Sequence, residues 1–148
     1  MVYVRDQIDI AAPLEDVFAY MDEPAHQADI TPSLVESTLI KRLPNGGSHA
    51  SYVYSFLGVR FKGEVRATTY DPPSHIEFEM EGGLEGQIAW SFKEHNDGTR
   101  VVYEAKYDIP VPVLKKAAEA VAKRYNEREV KTLLANLKDH MEAQRVSS

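Results

Sequence analysis

Aromatic residues recur at alternate positions through the middle of this chain, and their type and spacing carry the first hint of chemistry. Tyr52, Tyr54 and Phe56 are spaced by two, as are Trp90 and Phe92, while Phe61, Tyr103, Tyr107 and Tyr125 complete the set. In an extended strand, residues two apart face the same way, so these rings gather largely on covered faces. A buried tyrosine usually keeps its hydroxyl paired. Several phenols turned into one space would make a mostly apolar pocket with a few polar handles, which is the composition of a small-molecule site. The alternative is that the same rings fill the core and leave no cavity.

The other reactive groups offer less. No glycine-rich phosphate loop, paired-histidine zinc motif or nucleophile elbow is present. Cysteine is absent, so there is neither a thiolate nucleophile nor a disulfide framework. His26, His49, His75, His95 and His140 have no metal-ligand spacing among themselves, and no metal or cofactor is implied. His75 and His95 stand beside turns, where solvent is expected. His49 opens a strand and could reach a cavity mouth. Glu77, Glu79 and Glu81 alternate with Ile76, Phe78 and Met80 and read as a solvated face that also guards against edge pairing. Asp6 and Glu36 fit their strands less comfortably. A carboxylate in a cavity could act as acid or base if burial raised its pKa. A bulge, or a partner such as Arg66, is the simpler account, and no catalytic residue is assigned.

The elements that must position these residues follow from periodicity. Val4, Ile8 and Ile10 share one face of an N-terminal strand, with Asp6 as the misfit on that face. Pro13 opens a short helix whose first turn holds Glu15 and Asp16, where carboxylates suit the helix dipole. Leu14, Val17, Phe18 and Met21 form its apolar stripe, and Pro24 stops it. Ala25 to Ile30 adds a further helical turn. Six alternating segments follow: Leu34 to Leu43, His49 to Leu57, Val59 to Tyr70, Ile76 to Glu81, a segment around Ile88 to Phe92, and Val101 to Tyr107. Short turns at Asn45-Gly46-Gly47, Gly58, Asp71-Pro72-Pro73, Gly82-Gly83 and Asn96-Asp97-Gly98 separate them. Short turns join antiparallel neighbours, and one charged face per strand means one wet and one covered side of the sheet.

After Ile109-Pro110-Val111-Pro112, the chain from Val113 to Ala143 is unbroken helix-forming sequence. Leu114, Ala118, Val121 and Tyr125 lie on one stripe, and Val130, Leu134, Leu137 and Met141 on another. At about 100° per residue the second stripe is rotated well over 90° from the first. The helix therefore bends near Asn126-Glu127-Arg128-Glu129, or its halves face different neighbours. Strands first and one long helix last give an α+β fold in which the sheet curls around the helix.

At 148 residues, with 43% hydrophobic and 27% charged content, one domain over residues 1–148 is expected. The formal net charge of -6 comes without a basic cluster, which disfavours nucleic acid. No stretch reads as a bilayer span or a signal-peptide core, so the cytoplasm is the default compartment and no stable membrane insertion is expected.

This order of elements resembles the helix-grip fold of the START-related superfamily, and within it the polyketide cyclase/dehydrase and lipid-transport group. The likeness rests on Ile8-Asp9-Ile10-Ala11-Ala12-Pro13-Leu14-Glu15-Asp16-Val17-Phe18 and on Asp71-Pro72-Pro73 before Ile76. Trp90-Ser91-Phe92 followed by Gly98-Thr99-Arg100-Val101, and Leu137-Lys138 near the helix end, complete it. The resemblance implies a seven-stranded antiparallel sheet, two short helices after the first strand, and an apolar cavity against the last helix. It implies no universal catalytic residues. The expected role is binding or transport of a small hydrophobic ligand, such as a lipid, isoprenoid or polyketide-like molecule. A cyclase/dehydratase-type enzyme using a cavity tyrosine, histidine or carboxylate, and a protein-interaction module, stay open as alternatives. The expected ligand-binding residues are Tyr52, Tyr54, Phe56, Phe61, Trp90, Tyr103, Tyr107, Leu114, Val121 and Tyr125. An ionisable group deep in the pocket would favour the enzyme.

Overall fold

In the computed structural model, which describes residues 2–56, 58–108 and 115–147 and the side chains of 120–143 in the last helix, the expected order holds. Strand β1 (Val2–Ile10) leads into helices α1 (Leu14–Met21) and α2 (Pro24–Ile30). Strands β2 (Leu34–Arg42), β3 (Ser48–Phe56), β4 (Val59–Asp71), β5 (His75–Gly82), β6 (Glu85–His95) and β7 (Gly98–Asp108) follow, and α3 (Lys115–Ser147) ends the chain. All seven strands join one antiparallel sheet in the order β1-β7-β6-β5-β4-β3-β2. This is the helix-grip architecture.

Local chemistry explains the breaks. Pro13 is extended (φ -62°, ψ 144°) and stands just outside α1 rather than at its first position, with its carbonyl accepting from Asp16 and Val17. Pro24 does open α2, where its missing N–H costs nothing. Asn96 and Asp97 both adopt positive φ (48° and 65°), the backbone that a two-residue hairpin between twisted strands needs.

The concave face carries the core. Val2 and Val4 of β1, Ile76 and Phe78 of β5, Trp90 and Phe92 of β6, and Val101 and Ala105 of β7 are buried there. From α3, Ala122, Val130, Leu133, Leu134, Leu137 and Met141 close against them. The carboxylates Glu77, Glu79 and Glu81 lie on the exposed side, as their alternation required.

The two uncomfortable carboxylates have separate explanations. Asp6 does share the buried face of β1, but it sits half-buried beside α3, 3.4 Å from Lys131 Nζ. Its partner is Lys131 and not Arg66. Glu36 is exposed next to a register shift in β2, so the bulge accounts for it. β2 is an edge strand with Val35, Leu39 and Ile40 exposed, and its two irregularities interrupt the edge as a template for further pairing.

Candidate functional site

A cavity of about 100 Å³ lies between the concave face and α3. Tyr52 and Tyr54 of β3, Trp90 of β6, and Tyr103, Ala105 and Tyr107 of β7 line it on the sheet side. Asn126, Glu129, Val130 and Leu133 of α3 form the opposite wall. Its rim is made by the half-exposed Gln27 and Thr31 of the α2 end and Leu34 and Ser37 of β2. The rings therefore do not fill the core completely. The space is smaller than the roughly 300–1,000 Å³ usual for drug-sized ligands, and on the order of what a single aromatic ring or a few waters occupy.

Of the residues expected to bind ligand, Tyr52, Tyr54, Trp90, Tyr103 and Tyr107 line the cavity. Phe56 and Tyr125 sit beside it, packed edge to face with centroids 5.0 Å apart. Phe61 is half-buried on β4 and outside the lining. Val121 is 49% exposed, because the adjacent Ala122 takes the contact with the sheet; this corrects its placement on the inner stripe. Leu114 lies outside the described residues.

The aromatic side chains do different things. Tyr52 is structural: Leu84 N–H donates to its hydroxyl at 3.0 Å, and the hydroxyl reaches Leu84 O at 3.2 Å. Gly63 permits this crossing, since a Cβ there would stand 2.6 Å from the Tyr52 hydroxyl. Tyr54 donates to Asn126 Oδ1 over a long 3.4 Å. Trp90 and Tyr103 meet edge to face at 4.8 Å. Tyr125 shares a hydrogen bond with Ser33. The Tyr107 hydroxyl is buried without a partner in hydrogen-bond geometry among the described residues, although the Asn126 amide lies near enough to favour its ionised form slightly.

Glu129 is the group that sequence reasoning missed. It is only 8% exposed, and it faces the tyrosines from α3. Burial pushes its carboxyl above the usual carboxylate range, and donors from Ser33, Tyr54 and Tyr125 oppose that without cancelling it. The phenols respond in turn. Burial first, and then the nearby carboxylate, hold Tyr54 and Tyr103 far above an ordinary phenol, and burial does the same for Tyr107. These tyrosines keep their protons in the folded protein, so they are available as donors and not as bases. A signal for Glu129 was present: Met141, Leu137 and Leu133 recur every four residues, and the next step back is Glu129. Residues four apart share a helix face, so a carboxylate continues the buried stripe.

The histidines stay out of the site. His49 is buried but pairs outward, with Nε2 2.6 Å from Glu64 Oε1. His75 and His95, expected in solvent, are half-buried and paired: His75 with Ser91 and Glu77, His95 with Arg100 and Asp9. Among the described residues, no cluster of three or more histidines and carboxylates is placed to hold a metal ion. No helix among them is long and apolar enough to cross a membrane.

Comparison with solved structures shows the same fold across the whole chain. A protein from Thermus thermophilus superposes with a TM-score of 0.85 at 19% identity, covering 96% of this chain and 98% of that one. A START superfamily protein from Mycobacterium smegmatis gives 0.73 at 14% identity, covering 96% and 98%. The di-domain ARO/CYC StfQ from the steffimycin biosynthetic pathway gives 0.77 at 15% identity, covering 99% of this chain and 52% of that one. Identities this low speak for fold alone. None of the curated proteins compared matches the sequence. Residues 1–142 match the family described as polyketide cyclase/dehydrase and lipid transport, and the chain belongs to that family.

Proposed function

We propose that the protein binds a small, largely apolar ligand in the cavity between its sheet and α3, and serves as a carrier or receptor for it. The observation behind this reading is the composition of the walls. Apolar and aromatic side chains dominate them, and a few polar groups converge at one place, from α3 and from the strands opposite. At about 100 Å³ the space admits a ring or chain end, so a longer lipid, isoprenoid or polyketide-like molecule would extend past the rim at Gln27, Thr31 and Ser37. Native mass spectrometry of protein purified from its own host tests this, because a carried ligand appears as added mass. Saturable binding of an apolar probe, followed through Trp90 fluorescence, is the complementary measurement. No added mass and no saturable binding across lipids, quinones and aromatic polyketides would reject the reading.

Glu129 supports a second reading, acid–base chemistry of the cyclase/dehydratase kind. A carboxyl whose proton burial holds more tightly can deliver that proton to a bound carbonyl. The check is proton exchange next to a ketone. Proton NMR in deuterium oxide would follow loss of the methyl signal of a bound methyl ketone. A rate above buffer that vanishes in Glu129→Gln favours the enzyme, and a rate equal to buffer favours the carrier.

A further inference from the structure

Resting on the binding role just proposed, we infer that the cavity selects an uncharged ligand which presents a carbonyl or hydroxyl oxygen to Glu129 and Tyr107, and that it turns anions away. The charge inventory of the walls is lopsided. Among the described residues the lining contains one carboxyl, Glu129, and no lysine, arginine or histidine. An anionic head group would be taken from water into an apolar space with no cation to meet it, beside a group that is itself acidic. An uncharged oxygen faces no such cost.

The geometry also supplies partners. The buried Tyr107 hydroxyl has no hydrogen-bond acceptor among the described residues, so a ligand oxygen there would satisfy it. The Glu129 carboxyl stands on the facing wall, and in its acid form it donates to a carbonyl. Among the described residues, no second carboxyl and no cation stands beside Glu129 in the lining. Tyr54 of β3, Tyr103 and Tyr107 of β7 and Tyr125 of α3 are phenols, Ser33 before β2 is neutral, and Gln27 and Thr31 from the α2 end are neutral. Asp6 of β1, half-buried and paired with Lys131, lies outside the lining. Binding of a carbonyl ligand should therefore weaken as pH rises and the carboxylate forms, because its donor is lost.

Three probes of matched shape test this: acetophenone, benzoate and benzylammonium, titrated by calorimetry between about pH 5 and about pH 9. The expected result is acetophenone binding at least about tenfold tighter than benzoate near neutrality, and losing affinity toward the alkaline end. In Glu129→Gln the amide still donates, so acetophenone binding should survive while its pH dependence flattens. The comparison of probes on the unmodified protein needs no variant to fold. Benzoate binding as well as acetophenone would overturn the exclusion of anions. Benzylammonium binding tightest would overturn it too, by making Glu129 a counter-ion. An unchanged pH profile in Glu129→Gln would remove Glu129 from the selection. Failure of all three probes to bind would instead reject the cavity as a ligand site, and the selection with it.

Discussion

The Tyr52 hydroxyl and the Leu84 backbone hold each other twice, N–H to oxygen at 3.0 Å and hydroxyl to carbonyl at 3.2 Å, across the intervening strand β4. The bond spans 32 residues and fixes the β5–β6 turn over the cavity. Tyr52→Phe keeps the ring and removes the partner, leaving a buried N–H unpaired. A loss of about 1–3 kcal/mol in stability is expected from such a deletion. Urea unfolding measures it, and an unchanged midpoint would mean that Leu84 finds water instead.

Tyr107 is the converse case. Its hydroxyl is buried with no partner in bonding geometry among the described residues, a desolvation cost with no return from them. Tyr107→Phe is expected to be neutral or stabilising, by up to about 1 kcal/mol. The same variant should bind an oxygen-bearing ligand more weakly. A clear drop in the thermal midpoint would show that the hydroxyl is paired, most simply with Asn126.

Trp90 is 3% exposed and touches both core and cavity. Trp90→Ala is expected to cost about 3–5 kcal/mol, as large-to-small core changes do. Loss of less than that, measured by denaturant titration, would mean that the walls collapse into the space the indole leaves.

Glu129 makes stability depend on pH in a stated direction. Its folded pKa lies above the ordinary value of 4.5, so the folded state binds the proton more tightly than the unfolded one. As pH rises from about 4.5 toward that higher value, the unfolded chain ionises first and stability falls, by up to about 1.4 kcal/mol per pH unit. Below the window the contribution is fully present. Glu129→Gln should therefore lose stability less steeply over this range and be the more stable protein above it. Parallel curves for the two proteins would refute the buried-acid assignment.

Much of the architecture was legible because it rests on local signals. The Asn96-Asp97-Gly98 turn, Pro24 and the alternation of Ile76, Phe78 and Met80 with glutamates each act within a few residues. The site was legible on the sheet side for the same reason: Tyr52, Tyr54, Trp90, Tyr103 and Tyr107 obey the strand period and all line the cavity. The helix side was not. A hydrophobic stripe marks the buried face of a helix only where that face is apolar, and here the inner face passes through Asn126 and Glu129. Following apolar residues led to Val121, which faces water, one position before the buried Ala122. Ser33 was hidden for a different reason, since only the tertiary fold brings it to Tyr125.

The pairing of β1 with β7 joins the two ends of the strand series. Among the described residues β1 has β7 as its sole sheet neighbour, and Val2 lies opposite Tyr107. Tyr3 and Glu104, which touch across that ladder, are 101 residues apart in the chain. The first of the seven strands thus takes its partner from the far end of the series, while every strand from β2 to β7 pairs with a neighbour in sequence. Closure of so long a loop is slow compared with forming those hairpins. β1 covers both the edge of β7 and part of α3, so a chain without that pairing would present an open sheet edge.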